Sequence, residues 1–132
     1  MRRKTSSLER YMLFFGRQFP LNFGFKTTIA ETLDLAKTRD ALARLSLRHS
    51  LLFAHQERTP GNQMDMVFEY TGAFPLTERT ETASWQEVLL SCMIRKFNPF
   101  TGPLFSLDWR ATNGETELFF VFQHGAADGI AA

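Results

Sequence analysis

Cysteine occurs once in this chain, at Cys92, and tryptophan and tyrosine twice each. A single cysteine excludes an intrachain disulfide and is compatible with a reducing compartment. Net charge is nearly absent, since 15 basic against 14 acidic residues leave +1. That balance gives no electrostatic footprint for nucleic acid. No apolar stretch is long enough to span a bilayer. The basic start "MRRK" hints at a leader, but the apolar run from Tyr11 to Phe15 is too short for an h-region and no cleavage pattern follows. A soluble, cytoplasmic chain is expected. Internal repeats and low-complexity tracts are also missing.

What is present is phenylalanine, 14 of them in 132 residues, in a chain that is 44% hydrophobic and 22% charged. This is the composition of a globular protein, and the length fits one domain with a real core. Most of the rings are expected in that core. So many in a small domain also suggests that some face a partner surface or a ligand channel.

The order of elements can be read from periodicity and punctuation. Residues 22–33, "NFGFKTTIAETL", alternate and are rich in Thr and Phe, which suits a strand. Leu35, Thr38, Leu42, Leu45 and His49 then fall at helical spacing behind Asp34, an N-cap. "LLFAHQER" and "QMDMVFEY" flank the turn Thr59-Pro60-Gly61-Asn62 and read as a hairpin. Ser84 and Glu87 form a capping box before a helix that buries Trp85, Val88, Leu89 and Cys92. In that helix Arg95 and Lys96 complement the C-terminal dipole, and Asn98-Pro99 stops it. A second hairpin turns at Asn113-Gly114, and its second strand, "TELFFVFQH", is apolar on both faces. That strand is expected at the centre of a covered sheet. The fold class is α/β, an α+β sandwich with a mixed sheet, hairpins and two main helices, not a repeating βαβ pattern.

The chemistry gathers at the end of the chain, "QHGAADGIAA". His124 closes the apolar strand, where rigid backbone can hold an imidazole that projects into a cleft. Histidine is the side chain best matched to general-base work near neutral pH. Gly125, Ala126 and Ala127 put little bulk beside it, and Gly129 permits backbone geometry that a Cβ resists. Asp128 can pair with a basic group and fix the turn. On the residues alone a second reading stays open, a strand-end histidine bonded to a backbone carbonyl with Asp128-Gly129 an ordinary turn. No metal site is expected, because one His and one Asp leave zinc short of ligands and H-E-x-x-H is absent. His49 and Arg48 read as structural, His55 as exposed, and Cys92 as packing.

The segment "QHGAADGIAA" resembles the H-H-x-x-x-D-G signature of the chloramphenicol-acetyltransferase-like superfamily. That group holds condensation domains of nonribosomal peptide synthesis, wax-ester acyltransferases and alcohol acetyltransferases. The second His of the signature falls on His124, the Asp on Asp128 and the Gly on Gly129, while Gln123 replaces the first His. Three further stretches resemble the family's N-terminal half in order. They are "LERYM" near the start, the helix running into "RHSLLFA", and "FNPFTGPLFSLDWR", with Asn98 where the family has Asp.

The resemblance implies that residues 1–132 form the N-terminal subdomain of an enzyme with two similar lobes, the second lobe being absent. It implies acyl transfer from a CoA or carrier-protein thioester to an alcohol or amine, with His124 as general base. Asp128 and Gly129 would be structural, and Gln123 and Gly125 would line the substrate channel. No cofactor or metal is implied, acyl-CoA or an acyl carrier protein being a co-substrate. The partners implied are the missing lobe, a second copy of the chain or a carrier protein. The alternative is a subdomain that binds or assembles without catalysing.

Overall fold

The computed structural model describes residues 1–69 and 72–126. Its elements, in order, are β1 (Arg2–Lys4), α1 (Ser7–Gln18), β2 (Asn22–Ile29), α2 (Leu35–Arg48), a 3-10 turn (Ser50–Phe53), β3 (His55–Thr59), β4 (Gln63–Val67), β5 (Leu76–Glu78), α3 (Trp85–Met93), β6 (Phe105–Thr112) and β7 (Glu115–Gln123). Two sheets form, one ordered β1-β4-β3 and the other β2-β7-β6-β5. β5 runs parallel to β6 and the other pairings are antiparallel, so the larger sheet is mixed. Among the described residues no helix is long and apolar enough to cross a membrane.

The expected α/β layout is present, with three helices in place of two. The added one, α1, starts at a capping box. The Ser6 hydroxyl accepts from the Glu9 amide at 3.2 Å, and the Glu9 carboxylate accepts from the Ser6 amide at 2.8 Å. Its Leu13 is buried. The caps expected at Asp34 and at Ser84 with Glu87 are both formed. Asn113 and Gly114 take φ of 48° and 82°, the left-handed geometry that a tight β6–β7 hairpin requires.

β7 is the spine of the larger sheet. It pairs with β2 from Asn22↔Gln123 to Ile29↔Thr116, and with β6 from Phe105↔Phe122 to Thr112↔Glu115. Side chains alternate along it. Phe119 and Val121 are fully buried against Val88 and Cys92 of α3. Phe120 and Phe122 turn to the other face, where Phe122 joins the cluster of Leu42, Phe53, Leu104 and Phe105 and Phe120 packs against it.

Four local expectations are corrected. β2 stops at Ile29 instead of continuing to residue 33. Trp85 is 40% exposed, with the Lys26 ammonium 5.5 Å from its ring centre. His55 is half-buried and sits 3.2 Å from the Glu57 carboxylate. Arg95 does not serve the helix dipole but forms a two-pronged bond to Asp108.

Candidate functional site

The end of β7 is held from several sides. The Gln123 amide donates to the Leu104 carbonyl at 2.9 Å and the His124 amide to the Leu21 carbonyl at 2.9 Å. The Ala126 amide returns to the Gln123 carbonyl at 2.9 Å, closing a tight turn over His124 and Gly125. Asn22, opposite Gln123 in the register, donates to the carbonyls of Met93 and Arg95 at 2.8 and 2.6 Å. That pair of bonds fixes the end of α3 beside the strand end.

Gln123 fastens the same turn to α1. Its Nε2 donates to the Met12 carbonyl at 3.0 Å, and its Oε1 accepts from the Gly125 amide. The side chain is only 2% exposed. It therefore lies beneath the turn as a strap, and the channel-lining role expected for it has no support in this geometry. Glycine is required on both sides of the strap. A Cβ at Gly16 would stand 2.6 Å from the Gln123 Nε2, and one at Gly125 would stand 2.7 Å from its Oε1 and 2.9 Å from Leu13 Cγ. The buried Gly125 is thus packed under the turn, not set along an open wall.

His124 is exposed at the crest of this turn. Its ring lies 4.9 Å from that of Phe23, tilted by 48°, and makes no hydrogen bond with the other described residues. It continues the face of β7 that carries Leu118, Phe120 and Phe122. Phe25 stacks on Phe120 at 4.9 Å, and Phe23 stacks on Phe122 at 5.2 Å. Farther along this face a cleft of about 410 Å³ opens against α2, with Leu107, Leu118 and Phe120 among its lining residues. Phe120 and His124 are four residues apart, about 13 Å along a strand. Asp128 and Gly129 lie outside the described residues. Among those residues no group of three or more His, Cys, Asp or Glu could hold a metal ion.

On the opposite face of the sheet lies a cluster that the sequence pattern did not bring out. Asp108 is 0% exposed. Arg95 meets its two oxygens at 2.9 and 3.0 Å, Arg79 approaches at 3.2 Å, and the Cys92 thiol donates at 3.4 Å. Burial first, and then the Asp108 carboxylate, push the Cys92 thiol up to about 11. A thiol so held stays protonated and is a poor nucleophile. The available signal was an aspartate on the inward register of an apolar strand, "LFSLDWRA", which demands a cationic partner.

The sheet order, the central β7 and the turn that presents His124 are those of the fold that solved condensation domains show. Solved structures carry the same likeness. Holo-AB3403, a four-domain nonribosomal peptide synthetase bound to AMP and glycine, superposes with a TM-score of 0.79 at 14% identity, over 97% of this chain and 10% of that one. The starter condensation domain of rhizomide synthetase RzmA gives 0.78 at 15% identity, over 98% of this chain and 35% of that one. A variant of the RzmA domain in complex with C8-CoA gives 0.74 at 17% identity, over 98% and 32%. The chain thus spans about a third of the condensation-domain chains it matches. No protein-family profile matches the sequence, and no curated protein matches it.

Proposed function

We propose that this chain is one lobe of an acyl-transferring domain in which His124 is the general base. The observation that carries the reading is where His124 stands. It is exposed on a turn whose backbone bonds Leu21 and Leu104 and whose Gln123 side chain bonds Met12, at the end of the central strand of a condensation-type fold. A second lobe facing the Phe23, Phe25 and Phe120 side would complete the cleft.

The step balances simply. An amine or alcohol gives its proton to the His124 imidazole as its nitrogen or oxygen attacks the carbonyl of an acyl thioester, presented by CoA or by a carrier protein. The carbon–sulfur bond breaks, and the imidazolium returns the proton to the departing thiolate. The strap through Gln123 serves this step by holding the imidazole in one place, since positioning is a large share of such catalysis. Asp128 is assigned to hold the following loop by pairing with a basic group, and Gly129 to let that loop turn.

The test is transfer from an acyl-CoA to small amines and alcohols, measured on the protein with its second lobe. A positioned base contributes roughly 100- to 10,000-fold in rate, so His124→Ala is expected to lower the rate by that factor while thioester binding is kept. A rate within a few-fold of the parent would remove His124 as the base and leave the binding or assembly role standing.

A further inference from the structure

Among the described residues, five of the eleven arginines are matched to carboxylates. Arg3 bonds Glu9, Arg2 bonds Glu57, Arg79 and Arg95 bond Asp108, and Arg110 bonds Glu117. Of the other six, Arg39, Arg44 and Arg48 belong to α2, and Arg10, Arg17 and Arg58 come together in one place. None of the three has an ion-pair partner among the described residues. All three line one cavity of about 410 Å³ between α1, β3 and the loop at Pro99, and among the described residues no aspartate or glutamate lines it with them. The volume lies within the range of small-molecule sites, about 300–1,000 Å³.

The placement follows from the elements. Arg10 and Arg17 are seven residues apart on α1, two helical turns, and so share a face. Gln56 and Arg58 are two apart on β3 and share a side. The Gln56 backbone amide donates to the Pro99 carbonyl at 2.6 Å, which ties β3 to the loop. Gln56 also lines the cavity and is only 5% exposed, yet its side-chain Nε2 has no hydrogen-bond partner among the described residues. A buried amide donor without an acceptor is costly. Rings complete the wall. Phe100 lies with the Arg17 guanidinium 5.4 Å from its centre, and Tyr11 lies on the same cavity.

The geometry points to a binding site for a soluble phosphate monoester in this cavity, its phosphate held by Arg10, Arg17 and Arg58 with the Gln56 amide, and its organic part packed on Tyr11 and Phe100. Among the described residues, three cations, an unpartnered neutral donor and no competing carboxylate call for an acceptor of more than one negative charge. Guanidinium forks match phosphate oxygens in pairs. The aromatic wall selects an ester over the free ion. His124 is not among the residues that line this cavity.

The probes are phenyl phosphate and inorganic phosphate, titrated into the full chain at constant ionic strength. The readout is the side-chain amide resonance of Gln56. Saturable shifts are expected, with phenyl phosphate binding more tightly than inorganic phosphate. Arg10→Gln and Arg58→Gln change exposed side chains, so the fold is retained, and each is expected to weaken phenyl phosphate roughly 10-fold or more, the loss of a charge-assisted bond. His124→Ala is expected to bind as the parent does. Absence of saturation, or equal affinity in an Arg10→Gln and Arg58→Gln double variant, would overturn the site. So would inorganic phosphate binding as tightly as the ester.

Discussion

On one face of the β2-β7-β6-β5 sheet, Phe119 and Val121 lie under α3 at 0% exposure, and Asp108 is as deeply buried with two arginines closed around it. One residue along the same strand, on the other face, Phe120 is half-buried, and the Phe25 stacked on it is 44% exposed. Both faces are apolar, so hydropathy alone does not tell them apart. What differs is the cover. The first face is sealed by a helix within this chain, and even its charges are matched there. The second carries a ladder of rings that ends at His124, only partly roofed by α2. A face that is rich in phenylalanine and left half open is suited to receive something, and the other is suited only to hold the sheet in shape.

Stability measurements can break this comparison or sharpen it. The largest loss is expected from Phe119→Ala, about 3–5 kcal/mol by urea unfolding, because a fully buried ring is replaced by a cavity. Asp108→Ala comes next, at about 3 kcal/mol. It leaves Arg95 without its carboxylate while Arg79 keeps Glu81, and those arginine side chains are 31% and 20% exposed, so water takes up part of the loss. The smallest effect is expected from Phe25→Ala, about 1 kcal/mol, since much of that ring is already in water. If Phe25→Ala destabilised the chain as much as Phe119→Ala, the two faces would be equally sealed and the contrast would fail. Adding a protein or lobe that covers the ring ladder should raise the cost of Phe25→Ala and leave that of Phe119→Ala unchanged.

Local signals in the sequence were reliable where a few neighbouring residues settle the geometry. Asn113-Gly114 set a hairpin and Ser84 with Glu87 set a helix start, because turns and caps are short-range chemistry. The centrality of β7 was legible from its two apolar faces. α1 was harder to see. Ser6 and Glu9 spell its capping box, but Tyr11 to Phe15 are all apolar, so no helical period stands out, and Tyr11 and Phe14 are in fact exposed. Three-residue strands such as β1 and β5 exist only through their partners and have no pattern of their own. The Asp108 cluster joins residues 13 and 29 positions apart, and nothing local announces that meeting. At the candidate site the place of His124, just past the end of β7, was plain from the sequence. What remained hidden was that Gln123 points beneath the turn, because alternation gives a face and not a hydrogen-bond partner.

Gln123 also has a consequence for how the site behaves in different media. An amide neither gains nor loses a proton across the range in which proteins work. The fastening between α1 and the turn therefore acts as a pin and not as a switch. Acidifying or alkalising the solution leaves it in place, so the imidazole beside it is presented from the same spot whatever charge it carries.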